Sequence, residues 1–279
     1  MLKQISKKAI FTLVTVATLS GVLNAADLTD ADEIVSKANL TSYYAANDGR
    51  SEARMLIKDS QGREQKRQFT ILRRDRTDRE DSSDTKSDGG EQDFLVVFSR
   101  PSDVRNTVFL VAKNPASDDD RWLYLPGLDL VKRISAGDKR TSFVGSHYFY
   151  EDVSGRALAE DTHRLIETDE QFYLIENLPI DPQSVEFSRY TAWINKQTFL
   201  PEKIEYFDEV DELYRRVEVL ASKQIQGYET VTKSRITDLR SGGSTTLEFR
   251  FQAYNLGMEP AVFTERSLRK PPREWLRRN

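Results

Sequence analysis

From Ala53 to Tyr254 the chain is a succession of short β-branched and aromatic runs separated by Gly, Pro, Asn and Asp. This pattern limits the fold more than any other feature. Ala53, Met55 and Ile57 alternate with polar residues. A turn at 59–62 follows, and Gln65, Arg67, Phe69 and Ile71 form the return run. Further runs span 94–99, 107–112, 122–125, 130–135, 162–167, 172–176, 184–194, 201–207, 214–221, 230–239 and 245–254. Few helical segments separate them, so crossover connections and a parallel sheet are excluded, and an antiparallel sandwich or barrel is expected. One helix is expected before the strands, over 29–46. Asp30 is its cap, Glu33 completes a capping box, Ile34, Val35 and Ala38 share a face, and Asn47-Asp48-Gly49 ends it.

The N-terminus reads as an export signal. Lys3, Lys7 and Lys8 precede an uncharged, mostly apolar stretch, 9–22, and Leu23-Asn24-Ala25 offers a cleavage site. The stretch is short for a membrane span, which needs roughly 20 residues. Residues 1–25 are therefore read as a cleaved signal peptide of a periplasmic protein, and the minor alternative is an uncleaved inner-membrane tether. Residues 26–268 are read as a single β domain, and 269–279 as a basic, Pro-containing tail. Segment 75–92 holds no aliphatic residue between its ends and is expected to be a solvated loop.

Charge and residue inventory exclude several functions. The chain has 45 acidic and 41 basic residues, and three of the basic ones lie in the signal, so nucleic acid is not the expected partner. The absence of cysteine removes disulfides, thiolate chemistry and a lipidated N-terminal Cys. Two histidines, His147 and His163, leave little material for a His-based site. Ser146, His147 and Asp152 are close in sequence, but no G-x-S-x-G elbow frames the serine. Asp118-Asp119-Asp120 and 208–212 are acidic, yet neither has the spacing of a calcium loop. Adjacent Glu151 and Asp152 on an extended chain would point to opposite faces and not share a site. No catalytic residue, metal site or cofactor is expected.

The strands instead supply apolar and aromatic surface. A curled antiparallel sheet can hold an apolar ligand on its concave face. For any single aromatic residue, core filling is the commoner role. The candidate wall comprises Met55, Ile57, Phe69 and Ile71 on the first hairpin, with Trp122, Tyr124, Phe143 and Tyr150. Arg133 and Asp152 are the candidate structural ion pair.

A family resemblance rests on ordered motifs. W-L-Y-L-P-G stands at 122–127, V-K-R-I at 131–134, S-F-V-G-S at 142–146 and Y-E-D at 150–152. Arg100-Pro101-Ser102-Asp103-Val104 precedes them. Trp193-Ile194-Asn195-Lys196-Gln197-Thr198 with Leu200-Pro201-Glu202-Lys203 follows, then Thr245-Thr246-Leu247 and Phe263-Thr264. This order resembles the LolA-like family of outer-membrane lipoprotein-sorting proteins, over about 31–268. The chain departs from it in His147 for the usual Asp, Asn106 for Gly, and 208–212 for a Gly-containing turn. The charged loop and the Pro-Pro-Arg tail look like additions. The resemblance implies a strongly curved, incomplete antiparallel β-barrel with a few helices over its open face. It implies a monomeric periplasmic carrier of lipid, lipoprotein or other hydrophobic cargo, with an RND/MMPL-type inner-membrane transporter as a partner. The alternative is an accessory or adaptor subunit of such a transporter or of a hydrophobic-substrate uptake system, tethered to the inner membrane by an uncleaved signal.

Overall fold

A computed structural model describes residues 27–76 and 89–276. The signal, most of the charged loop and the last three residues fall outside these. The helix α1 (Ala31–Tyr43) comes first. The strands are β1 (Asp48–Lys58), β2 (Glu64–Asp75), β3 (Gln92–Arg100), β4 (Val108–Lys113), β5 (Asp120–Leu125), β6 (Leu130–Ile134), β7 (Asp161–Thr168), β8 (Phe172–Pro179), β9 (Arg189–Asn195), β10 (Pro201–Phe207), β11 (Leu213–Ile225), β12 (Tyr228–Asp238) and β13 (Gly243–Tyr254). A one-turn helix, α2 (Glu151–Ser154), lies between β6 and β7, and α3 (Glu265–Arg269) and α4 (Arg273–Leu276) close the chain.

All strands join one antiparallel sheet in the order β6-β5-β4-β3-β2-β1-β13-β12-β11-β10-β9-β8-β7. Every expected run became a strand, and most neighbours are hairpins. The exception is β1 with β13, which brings the ends of the meander together. The edges β6 and β7 do not pair, so the curved sheet stays open. Residues 135–160 run from one edge to the other and tuck into the concavity.

Alternation along the strands builds two apolar layers. The concave layer contains Met55, Ile57, Phe69, Phe98, Phe109, Leu123 and Leu247, and receives Phe143 and Tyr150 from the 135–160 connection. Phe143 lies 5.7 Å from Phe98, 5.4 Å from Phe109 and 5.5 Å from Tyr150, ring centre to ring centre. The convex layer contains Leu72, Leu95, Val97, Val108 and Leu110 and is covered by Met258, Val262, Phe263 and Leu268. Trp275 and Leu276 pack on the same layer, and the Arg50 Nε donates to the Trp275 carbonyl at 2.8 Å. Residues 269–276, expected as tail, are therefore part of the cover.

α1 closes the other half of the concavity. The Asp30 carboxylate accepts from the Asp32 and Glu33 amides, as the capping pattern requires. Ile34 and Ala38 pack on Tyr173, Ile175, Ala192 and Ile194. The helix ends three residues before its expected end, at Tyr43. Ala46 adopts a left-handed backbone (φ 60°), and Asp48 and Gly49 already belong to β1. Asp48 is buried there because its carboxylate accepts from the Leu256 and Met258 amides. The expected run 184–194 shortens to β9, because the Asp181 carboxylate and Pro182 form a turn of 3-10 helix before it.

Candidate binding cavity

The concave layer leaves part of its space unfilled. A cavity of about 380 Å³ lies between the sheet, the end of α1 and the 143–153 segment. Its apolar wall is drawn from separate elements. Met55, Phe69, Ile71, Phe94 and Val96 come from β1 to β3, Val217 and Val219 from β11, and Ile236, Leu247 and Phe249 from β12 and β13. Phe143 and Val153 supply the side toward the connecting segment. Polar and charged groups line it in two places: Arg50, Ser51, Glu229, Thr230, Gln252 and Tyr254 from β1, β12 and β13, and Arg73, Glu151, Asp152 and Arg156 beside the end of α1 and the connecting segment.

The end of α1 is fixed over the cavity by Arg73. Its guanidinium donates to the carbonyls of Tyr43 (3.0 Å), Ala45 and Ala46 (2.7 Å) and pairs with Asp75 at 2.6 Å. A cation from β2 thus satisfies the last helical carbonyl, Tyr43, and two carbonyls of the turn that follows, where the last turn of the helix has no basic residue. Tyr43 is half-buried at this end, and desolvation, with the nearby Asp152 carboxylate adding to it, pushes its phenol well above the usual range.

The connecting segment is held by charge. Glu151 is 3% exposed and faces Lys139 (3.3 Å), Arg140 (2.5 Å) and Arg156 (3.5 Å). Burial pushes its carboxyl upward, but the three cations outweigh burial and hold it below the ordinary range. Arg140 also pairs with Glu186 at 2.8 Å, and Arg156 with Asp161 at 2.8 Å. Asp152 accepts from Arg215 at 2.6 Å and from the Phe149 amide at 2.6 Å. Tyr148 bonds Ser234 at 2.8 Å, and the His147 Nδ1 lies 2.8 Å from the Thr245 hydroxyl.

These contacts separate the candidate residues. Met55, Phe69, Ile71 and Phe143 line the cavity. Ile57 and Tyr150 are buried in the concave layer, and neither is among the residues lining the cavity. Trp122 and Tyr124 pack on the convex layer, because Leu123 between them takes the concave face and neighbours on a strand point oppositely. The Arg133–Asp152 pair is not formed. Arg133, on the edge strand β6, bonds Asp120, and Asp152, on α2, bonds Arg215 from β11. Arg215, Arg73 and the β11–β13 wall were missed. Val217 and Val219 alternate visibly in sequence, whereas the roles of the two arginines depend on contacts distant in the chain.

Ser146, His147 and Asp152 do not come together as a triad. The Ser146 hydroxyl donates to the Phe143 carbonyl at 2.7 Å, while His147 engages Thr245 and Asp152 engages Arg215. The acidic loops act as turn caps. Asp208 accepts from the Val210 and Glu212 amides and from Arg240, and Asp119 accepts from the Asn114 amide and Arg121.

Residues 90–270 match a family model whose description is that of an uncharacterized protein. A DUF1329 family protein from Desulfovibrio piger is 29% identical, with a TM-score of 0.74 over 85% of this chain and 97% of that one. An outer membrane lipoprotein-sorting protein domain from Vibrio parahaemolyticus is 25% identical, with a TM-score of 0.74 over 86% and 98%. The chain belongs to the LolA-like family. A LolA superfamily protein from Nitrosomonas europaea shares the LolA-like fold at 19% identity, with a TM-score of 0.62 over 86% of this chain and 99% of that one. No curated protein matches the chain. The match includes the 122–152 motifs, so the LolA-like signature falls on β5, β6 and the segment that fills half the concavity.

Proposed function

We propose that the chain is a periplasmic carrier that binds lipid, lipoprotein or another long-chain hydrophobic cargo and moves it between the inner and outer membranes. The supporting observation is the cavity, whose apolar wall is contributed by three parts of one sheet and by the connecting segment. Burial of an acyl chain contributes about 0.8 kcal/mol per CH₂, enough for reversible holding without a cofactor or nucleotide. The protein named for lipoprotein sorting in Vibrio parahaemolyticus supports the same reading. Its action is binding and transfer rather than catalysis.

Export is part of the proposal. With the signal cleaved near Ala25 the protein diffuses between membranes as a monomer and takes cargo from, or gives it to, an inner-membrane transporter. The test is periplasmic expression followed by gentle purification, organic extraction and mass spectrometry. Recovered lipid in stoichiometric amount supports the carrier. Protein that never carries lipid and binds no apolar probe overturns it.

A further inference from the structure

The sheet is not evenly closed above the cavity. β12 and β13 pair only from Lys233 with Glu248 to Asp238 with Gly243. Beyond Lys233 the two strands follow other partners. Thr230 and Val231 stay opposite Lys223 and Ser222 on β11, while Phe249 and Tyr254 stay opposite Ala53 and Gly49 on β1. Backbone irregularities mark the divergence. β11 slips register between Val219 and Ala221, β1 slips between Arg50 and Glu52, and Phe251 takes a left-handed backbone (φ 52°). Such bulges bend a strand away from its partner.

The gap is crossed by side chains. The Gln252 amide donates to the Val231 carbonyl at 2.9 Å, and the Thr230 and Tyr254 hydroxyls meet at 2.9 Å. At the far end Gln226 imitates a strand, donating to the Tyr254 carbonyl at 3.2 Å and accepting its amide at 2.8 Å. Glu229, Thr230 and Val231 on one lip and Phe249, Gln252 and Tyr254 on the other all line the cavity. Side-chain rotation opens this slit without breaking a ladder of backbone bonds.

We propose that the slit between β12 and β13 is the portal of the cavity, and that it passes a single-chain amphiphile with an uncharged, hydrogen-bonding head. The chain enters first and the head stays at the lips. Thr230, Gln252 and Tyr254 offer hydrogen bonds there, and the buried Ser51 hydroxyl has no partner and lines the same space. The charged group on the lips is the Glu229 carboxylate. Arg50 of β1 also lines the cavity, but its charge is offset by Glu52 and its Nε donates to the Trp275 carbonyl, so the Glu229 carboxylate is the charge that a carboxylate or phosphate head would meet.

This inference rests on the carrier reading, and the absence of native cysteine makes the test clean. Val231→Cys with Gln252→Cys is joined by a short bismaleimide in the full exported chain. Lys233→Cys with Glu248→Cys, in the paired part of the same strands, is the control. Uptake and release of pyrene-decanol are followed by fluorescence. Bridging the slit slows both by roughly tenfold or more, as locking a gate does, while the control exchanges like the unmodified protein. Pyrene-decanol also binds more tightly than pyrene-decanoate at pH 8, and Glu229→Gln narrows the difference. Unchanged exchange across the bridged slit overturns the portal, and equal binding of the two probes overturns the head assignment. Failure of the unmodified protein to bind either probe overturns the carrier reading itself.

Discussion

Arg73 and Asp75 form a buried pair that also secures the end of α1, with side chains 10% and 3% exposed. Removing one member of such a pair strands the other, so Arg73→Met is expected to cost about 3–5 kcal/mol, read by urea denaturation. Arg63→Ala removes a pair whose arginine is 75% exposed and is expected to change stability by less than about 0.5 kcal/mol. Glu151 gives a pH dependence of known sign. Its folded carboxyl titrates below the ordinary value of 4.5, so its contribution is present above that value and is lost as pH falls through the lower folded value. Glu151→Gln therefore lowers stability at pH 7 and flattens the acid limb, as measured by melting temperature against pH. An unchanged acid limb would refute the assignment.

The C-terminal cover is an element whose role is separable. Met258, Val262, Phe263 and Leu268 shield Leu72, Leu95, Val97, Val108 and Leu110 on the convex layer. A chain truncated after 256 exposes that patch on three adjacent strands. It is expected to bind a hydrophobic dye and to aggregate, as seen by light scattering. The connecting segment is also anchored by packing, since Phe143 sits among three rings. Phe143→Ala is expected to cost about 3–5 kcal/mol, because Phe98 and Phe109, held by β3 and β4, cannot close on the space left.

For the molecule as a whole, a carrier must be able to lose its cargo space without losing its fold. Ile71 and Val219 both line the cavity and neither is fully buried. Ile71→Phe with Val219→Phe grows into empty space, so the double variant is expected to melt within a few degrees of the parent and to yield little co-purified lipid. Undiminished lipid would place the cargo elsewhere. The mature N-terminus, read by intact mass, separates a free shuttle from a tethered accessory subunit.

Local pattern determined most of the architecture. Alternation in Ala53-Met55-Ile57 and continuous apolar runs such as 94–99 act between neighbours in sequence, so strand positions, the Asp30 cap and the turn at 59–62 were legible without a structure. The resemblance carried by 122–152 supplied curvature and an open edge. What the strands face was legible only in part. Period-two alternation shows that Leu123 opposes Trp122 and Tyr124, yet which side is concave depends on how thirteen strands curl and on where 256–276 lies down. Long-range pairs were beyond reading, because Asp152 meets Arg215 across 63 positions and Arg73 meets the end of α1 through the turn of a sheet. The slit is tertiary in the same sense: nothing local to Thr230 or Gln252 states that β12 and β13 part company, since each keeps a full partner on its other side.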